Sequence, residues 1–364
     1  MRPRVKEGGE AIAESMPSCQ APAAPARNDS VEAFRVIAVL AVIIIHTKPF
    51  MRDLFPSPQY RLLEYLFNQP PRFAVPFFFV TAGYFLGRKA QCDPKRRIRI
   101  KNYLLRLVGV VAGWSLLYIA LPSFWPPLLA QGYRQVTVQK IAPLLASPLT
   151  LLLEGGKVHL WFIPSLIMGV ALLALCTSNG RIWLACLASG FLFAFGLLGA
   201  SYSVTPLGIH APFFTRNGPF LSLICLTTGY VMSLRRPPFP LGMAWAIAGG
   251  GMALHIFETW LLWRCYAVPM INHDYLVGTV VCGAGLLMVA LAAPSLGRRT
   301  GLHALGKYTL GVYASHFLFI DLLGPLTYLF ELHLWQFLLP LLVYLLSLAC
   351  SALLLRSPRL RWLV

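Results

Sequence analysis

Two ionisable residues stand eleven positions apart in an otherwise apolar run: Arg35 and His46, in the stretch RNDSVEAFRVIAVLAVIIIHTKPF from Arg27 to Phe50. An imidazole has an unperturbed pKa of about 6.5, so near neutral pH it can take up and return a proton, the work of a general base. A guanidinium keeps its charge and binds carboxylate or phosphate in planar fashion. In a helix, eleven steps of about 100° come back to within about 20° of the start, so both side chains share a face, roughly 16 Å apart along the axis. Residues 36–45 carry no charge, and ionisable groups in such a helix face a bundle interior or a wet cavity. Other chemistry-bearing residues recur along the chain. Glu32 precedes Arg35 by one turn; Arg96, Arg97 and Arg99 lie in KRRIRIKNYLLR; His159 and Trp161 open VHLWFIPSLI; Arg216 and Asn217 precede an apolar run; Tyr313 and His316 fall in LGKYTLGVYASHFLFI.

The elements that must position these residues are membrane helices. The chain is 57% hydrophobic and only 12% charged, with a mean hydropathy of +0.65; soluble domains carry about twice that charged fraction. The pattern predicts an all-α, polytopic helix bundle of about ten transmembrane helices, each near the roughly 20 residues needed to cross a bilayer: 31–48, 71–87, 102–122, 158–177, 181–200, 217–234, 240–263, 275–293, 304–324 and 334–355. Pro76 is expected to bend the second span and open a backbone carbonyl. Residues 139–153 are apolar but short and hold Pro143 and Pro148, which suits an interfacial or re-entrant piece. With the N-terminus inside, roughly twice as many lysines and arginines fall in cytoplasmic as in outer segments, so both termini are expected in the cytoplasm. Residues 1–26, rich in Ala, Pro and charge, read as a disordered cytoplasmic tail.

Several function classes drop out. A net charge of +18 would suggest nucleic acid in a soluble protein; here it follows from the cytoplasmic excess of basic residues, and no nucleic-acid partner is expected. The eight cysteines form no CxxC pair, so neither a metal site nor a disulfide framework is expected. No Walker loop, HExxH or GxSxG occurs.

The first span resembles the opening of the acyltransferase-3 family of membrane acyltransferases. That opening is Arg-Asn, an acidic residue three before an Arg, then ten residues and a His-Thr, matched here by Arg27, Asn28, Glu32, Arg35, His46 and Thr47. The second span is similar to the family's run of Phe, small residues and Gly (Phe77, Phe78, Phe79, Thr81, Gly83, Tyr84), with Thr81 and Tyr84 where Ser and Phe are commoner. Arg96 and Arg99 match an RxxR pattern, His159 to Phe162 a His-Leu-Trp-Phe segment, and Arg216-Asn217 a further pattern. Gly306, Lys307, Leu310, Gly311, Tyr313 and His316 match the family's late motif. The resemblance runs from about residue 27 to 320.

The resemblance implies a transmembrane acyltransferase domain over 27–364, in the inner (plasma) membrane. The implied activity is O-acyl transfer, most simply O-acetyl, from cytoplasmic acyl-CoA to a hydroxyl of an extracytoplasmic or lipid-linked glycan of the cell envelope. Acyl-CoA is then the donor substrate, and no permanently bound cofactor is expected. His46 is the implied catalytic residue, as base or covalent carrier, with Arg35 and Glu32 on its helix. Arg96, Arg97 and Arg99 would hold the coenzyme's phosphates, or serve as a topology signal or a contact to anionic lipid. His159, Trp161, Arg216, Asn217, Tyr313 and His316 are the candidates for substrate binding, Trp161 alternatively being an interfacial anchor. The sequence offers no clear acidic partner to orient His46; Asp53 and Glu154, both placed outside, are the candidates. A polytopic transporter of a small anionic solute, or a membrane module serving a partner such as a racemase, stands as the alternative.

Overall fold

The computed structural model describes residues 28–364 except 52–53, 91–95, 122–123, 179, 236–238 and 329–332. The tail 1–26 and Asp53 lie outside the described residues. What is described is helical throughout, without strands. In chain order the helices are α1 (Asp29–Thr47), α2 (Tyr60–Asn68), α3 (Ala74–Ala90), α4 (Arg96–Ala120), α5 (Trp125–Ala146), α6 (Pro148–Glu154) and α7 (Phe162–Thr177). They continue with α8 (Ile182–Leu198), α9 (Pro219–Leu234), α10 (Leu241–Tyr266), α11 (Val277–Ala292), α12 (Thr309–Leu323) and α13 (His333–Arg356). Each of the ten segments expected to be a span is helical. Among the described residues, five helical stretches are long and apolar enough to cross a membrane, and six if a bent pair counts as one. That pair is α5 and α6, which meet at 100°. It accounts for the short apolar piece at 139–153: Pro148 opens a second helix in a new direction instead of prolonging the first.

The start of α1 is held from both sides. Asn28 caps it by accepting from the Val31 N–H at 3.0 Å, and its own amide donates to the Ala290 carbonyl of α11 at 3.1 Å. Asp29 and Glu32 place negative charge in the first turn, where the helix dipole favours it. Asp29 also accepts from Arg298 at 2.8 Å. The Asn and the acids of the opening motif are therefore helix-start chemistry and an anchor to the end of α11.

Lipid supplies no hydrophobic drive between helices, so close approach through small residues does that work. The crossing of α3 and α9 is built this way. A Cβ on Gly83 would strike the Leu226 carbonyl, and one on Gly229 would strike the Val80 carbonyl. Pro76 does not bend its helix. It lies in the first turn of α3, after a short 3-10 turn at Pro70–Phe73, where its missing N–H interrupts no helical ladder. Glu258 of α10 is buried, yet fully engaged. It accepts from the first N–H groups of α11, Val277 at 3.3 Å and Gly278 at 2.8 Å, and from the Tyr202 hydroxyl at 2.5 Å.

The α3–α9 crossing generates a test. Gly229→Leu should lower stability by about 1–3 kcal/mol or more through overpacking, read as a lower melting temperature in detergent. Gly190→Leu, which has nothing within 4 Å of its Cβ position, should leave that temperature unchanged.

Candidate active site

Three histidines far apart in sequence converge. α1 carries His46 in its last turn, the 3-10 turn Val158–Trp161 carries His159, and α12 carries His316. The His46 and His316 ring centroids are 5.5 Å apart, and those of His159 and His316 4.8 Å. Phe317 fills the space between them, stacked on His159 at 4.5 Å and edge-on to His46 at 4.8 Å.

Backbone carbonyls orient two of the rings. A carbonyl can only accept, so Nε2 of His159 carries the proton it donates to Ala314 at 3.2 Å, and Nδ1 of His316 carries the one it donates to Tyr313 at 2.5 Å. Each ring is left with a buried acceptor nitrogen, Nδ1 of His159 and Nε2 of His316, that has no hydrogen-bond partner among the described residues. The Tyr313 hydroxyl donates to the His159 carbonyl and ties α12 to the 3-10 turn. Lys157, just before that turn, binds both oxygens of Asp321 on α12 at 3.0 and 2.7 Å and lies 5.2 Å over the Phe317 ring. His46 differs from the other two: its ring is half-buried and makes no hydrogen bond to any described residue. Glu154 makes no hydrogen bond to it; that carboxylate accepts from the Asn217 amide at 2.8 Å.

His46, His159 and Tyr313 line a narrow cavity of ≈ 60 Å³ together with Trp161, Arg216, Arg72, Asp274 and Tyr275. This is room for a few waters or an acetyl-sized group. Asp274, in the connection before α11, closes one side. Arg72 binds one of its oxygens at 2.6 Å and Arg216 the other at 2.8 Å. Burial pushes the Asp274 carboxyl up, but the charges and hydrogen bonds of Arg72 and Arg216 outweigh it and hold the group below its ordinary value. Arg216 also stacks on Phe214 at 5.0 Å and on Trp161 at 5.7 Å. Trp161 is thus a wall of the cavity, buried to 9% exposure, and not an interfacial anchor.

The structure brings His46, His159, Trp161, Arg216, Tyr313 and His316 to one place, with Asn217 adjoining. Arg35 and Glu32 are elsewhere. They pair with each other at 3.3 Å, about 16 Å of helix away from His46. Gly306 lies so close there that a Cβ would meet the Glu32 carboxylate, which joins the first and last motifs at that end. Arg35 is within electrostatic reach of Tyr103 in the first half of α4. Arg99 is exposed on the first turn of that helix; the side chains of Arg96 and Arg97 lie outside the described residues. Sequence reasoning missed Asp274, Arg72, Phe317 and the Lys157–Asp321 pair. One signal was available: in a chain with only 13 acids, an Asp beside a span is rare enough to need a cation. Among the described residues no group of three or more His, Cys, Asp or Glu is arranged to hold a metal.

A helix bundle with membrane-length spans and an internal cluster of proton-accepting rings defines a membrane protein with a buried site for chemistry. The family model for an acyltransferase domain matches residues 28–356, and the chain belongs to the acyltransferase-3 family. Among curated proteins it is 27% identical over 222 residues to an amino-acid racemase of Enterococcus faecalis, covering 57% of this chain and 29% of that protein. It is 29% identical over 226 residues to a serine/alanine racemase of Enterococcus gallinarum, again 57% of this chain and 29% of the relative. The chain thus spans less than a third of the length of these relatives. No solved structure matches it significantly.

Removing the Asp274 charge leaves two facing guanidiniums. Asp274→Asn should cost about 1–3 kcal/mol, between a surface pair and a fully buried one. Because the folded pKa lies below the unfolded one, near 3.8, the carboxylate's contribution is complete above that value and fades as pH falls through the folded pKa. Melting temperature against pH should therefore drop in acid for the wild type, and Asp274→Asn should remove that part of the slope.

Proposed function

We propose that this protein moves an acyl group, in the simplest case acetyl, from cytoplasmic acyl-CoA to a hydroxyl of an extracytoplasmic or lipid-linked glycan of the cell envelope. The observation that carries the reading is the half-buried His46 ring, without a hydrogen bond to any described residue, in a cavity of acetyl size. In this mechanism the acceptor oxygen forms a bond to the thioester carbonyl carbon while His46 takes the hydroxyl proton. The carbon–sulfur bond then breaks, and the coenzyme leaves as a thiolate that recovers a proton. Neutral His316 and His159, with their unpartnered nitrogens, are acceptors available to the same hydroxyl or to a bridging water. Arg216 and Arg72 are the cations nearest a developing oxyanion, although Asp274 neutralises much of their charge.

The donor end belongs to Arg35, Glu32 and Arg99, with Arg96 and Arg97 just before Arg99 in the sequence. A cavity of this size has no room for the coenzyme, so only the acyl end would reach His46 and the phosphates would stay among those arginines. This reading sets ten spans in the inner membrane with both termini cytoplasmic, which turns Arg35 inward and His46 outward. The bias of basic residues supports that orientation.

A second reading is favoured by the racemase relatives: a membrane module that serves an amino-acid enzyme or carries a small anionic solute. Purified protein supplied with labelled acetyl-CoA separates the two. Label on the protein or passed to envelope glycan supports acyl transfer; uptake into vesicles without transfer supports the second reading. His46→Ala should lower transfer by about 10²–10⁴-fold, measured as ester-linked acetyl on envelope glycans by mass spectrometry. Wild-type levels in that variant overturn its role as the base.

A further inference from the structure

α6, the second half of the bent α5–α6 pair, has no part in the mechanism above, yet it walls a polar cavity next to the histidines. This pocket of ≈ 570 Å³ lies between α6 and the connection from α8 to α9, with Thr150, Glu154, Phe214, Arg216, Asn217 and Asp274 in its lining. It shares Arg216, Asp274 and Tyr275 with the histidine cavity, so the two adjoin across the Arg216–Asp274 ion pair. Resting on the acyltransfer reading, we infer that this pocket is the acceptor site and that it takes an uncharged saccharide unit.

The chemistry of the lining selects that class. Its one cation is already paired: Arg216 is bound to Asp274 at 2.8 Å, and the second acid, Glu154, accepts from the Asn217 amide at 2.8 Å. An anionic ligand would have to displace a carboxylate from a paired guanidinium. A hydroxyl only adds to what is there, because paired carboxylates and amides keep free lone pairs and N–H groups. Asn217 Oδ1 is such an acceptor, on a side chain 2% exposed, and it has no partner among the described residues. Phe214, 63% exposed, offers the flat apolar surface on which the C–H face of a pyranose rests. A second pocket of ≈ 470 Å³ reaches Asp274 from the Arg72 side. It is lined by Lys48, Glu64 and Arg72 and by no aromatic ring as exposed as Phe214. Asp274, bridging the two arginines, is then the partition that the reacting hydroxyl must reach past, and a positioning residue.

The test uses the full chain and two readouts. Donor engagement is the melting-temperature shift that acetyl-CoA produces in purified protein; acceptor use is ester-linked acetyl on envelope glycan of cells expressing the chain. Phe214→Ala should lower the glycan ester about tenfold, the loss typical of a central aromatic contact, with the acetyl-CoA shift intact. Phe214→Tyr should restore the ester. Thr150→Trp, which fills the pocket, should act like Phe214→Ala, and Met51→Trp, which fills the other pocket, should leave the ester at wild-type level. Wild-type ester in both Phe214→Ala and Thr150→Trp overturns the assignment, as does loss confined to Met51→Trp. A loss of both readouts in Phe214→Ala that Phe214→Tyr does not repair makes Phe214 a folding residue and overturns it too. A wild-type chain with neither an acetyl-CoA shift nor glycan ester is a different result, and overturns the acyltransfer reading itself.

Discussion

An imidazole inside an apolar bundle needs partners for its nitrogens, and the arrangement of this protein around its centre follows from that need. Two of the three rings obtain one partner each from backbone carbonyls of α12, Ala314 for His159 and Tyr313 for His316. Those carbonyls are helical, so α12 has to lie against the 3-10 turn before α7. The Tyr313 hydroxyl and the Lys157–Asp321 pair hold it there. The remaining ring, His46, arrives from α1 and makes no hydrogen bond to any described residue. A ring with a free lone pair and partial access is the one able to exchange a proton; the two tethered rings are held as neutral acceptors beside it.

Charge follows the same rule. Each carboxylate around the site is spent on a specific cation or donor: Asp274 on Arg72 and Arg216, Asp321 on Lys157, Glu154 on Asn217, Glu32 on Arg35. None touches His46. Among the described residues the ring therefore has no hydrogen-bonded carboxylate to fix its tautomer. Taken with the proposed chemistry, this favours a base that returns its proton at once over one that stores it.

Much of the architecture was legible from composition and period. Each of the ten apolar segments proved helical because a chain in lipid has to satisfy its backbone internally, and runs near 20 residues leave few alternatives. The broken piece at 139–153 could be anticipated from Pro143 and Pro148. Pro76 could not be read the same way. Whether a proline kinks a helix or starts one depends on where the first turn falls, and the preceding 3-10 turn moved that boundary.

The sequence by itself determined the family, the helical class and the identity of the histidines, since scarce ionisable residues in apolar runs are visible without coordinates. It also separated Arg35 from His46, because helix rise is the same in every context. Only the tertiary structure decided which distant residues meet. Asp274 joins Arg72 across 202 residues and Arg216 across 58, Trp161 turns inward as a wall, and α6 folds back to enclose a pocket. Those outcomes depend on helix rotation and crossing, set by side-chain packing between segments that sequence order does not bring together.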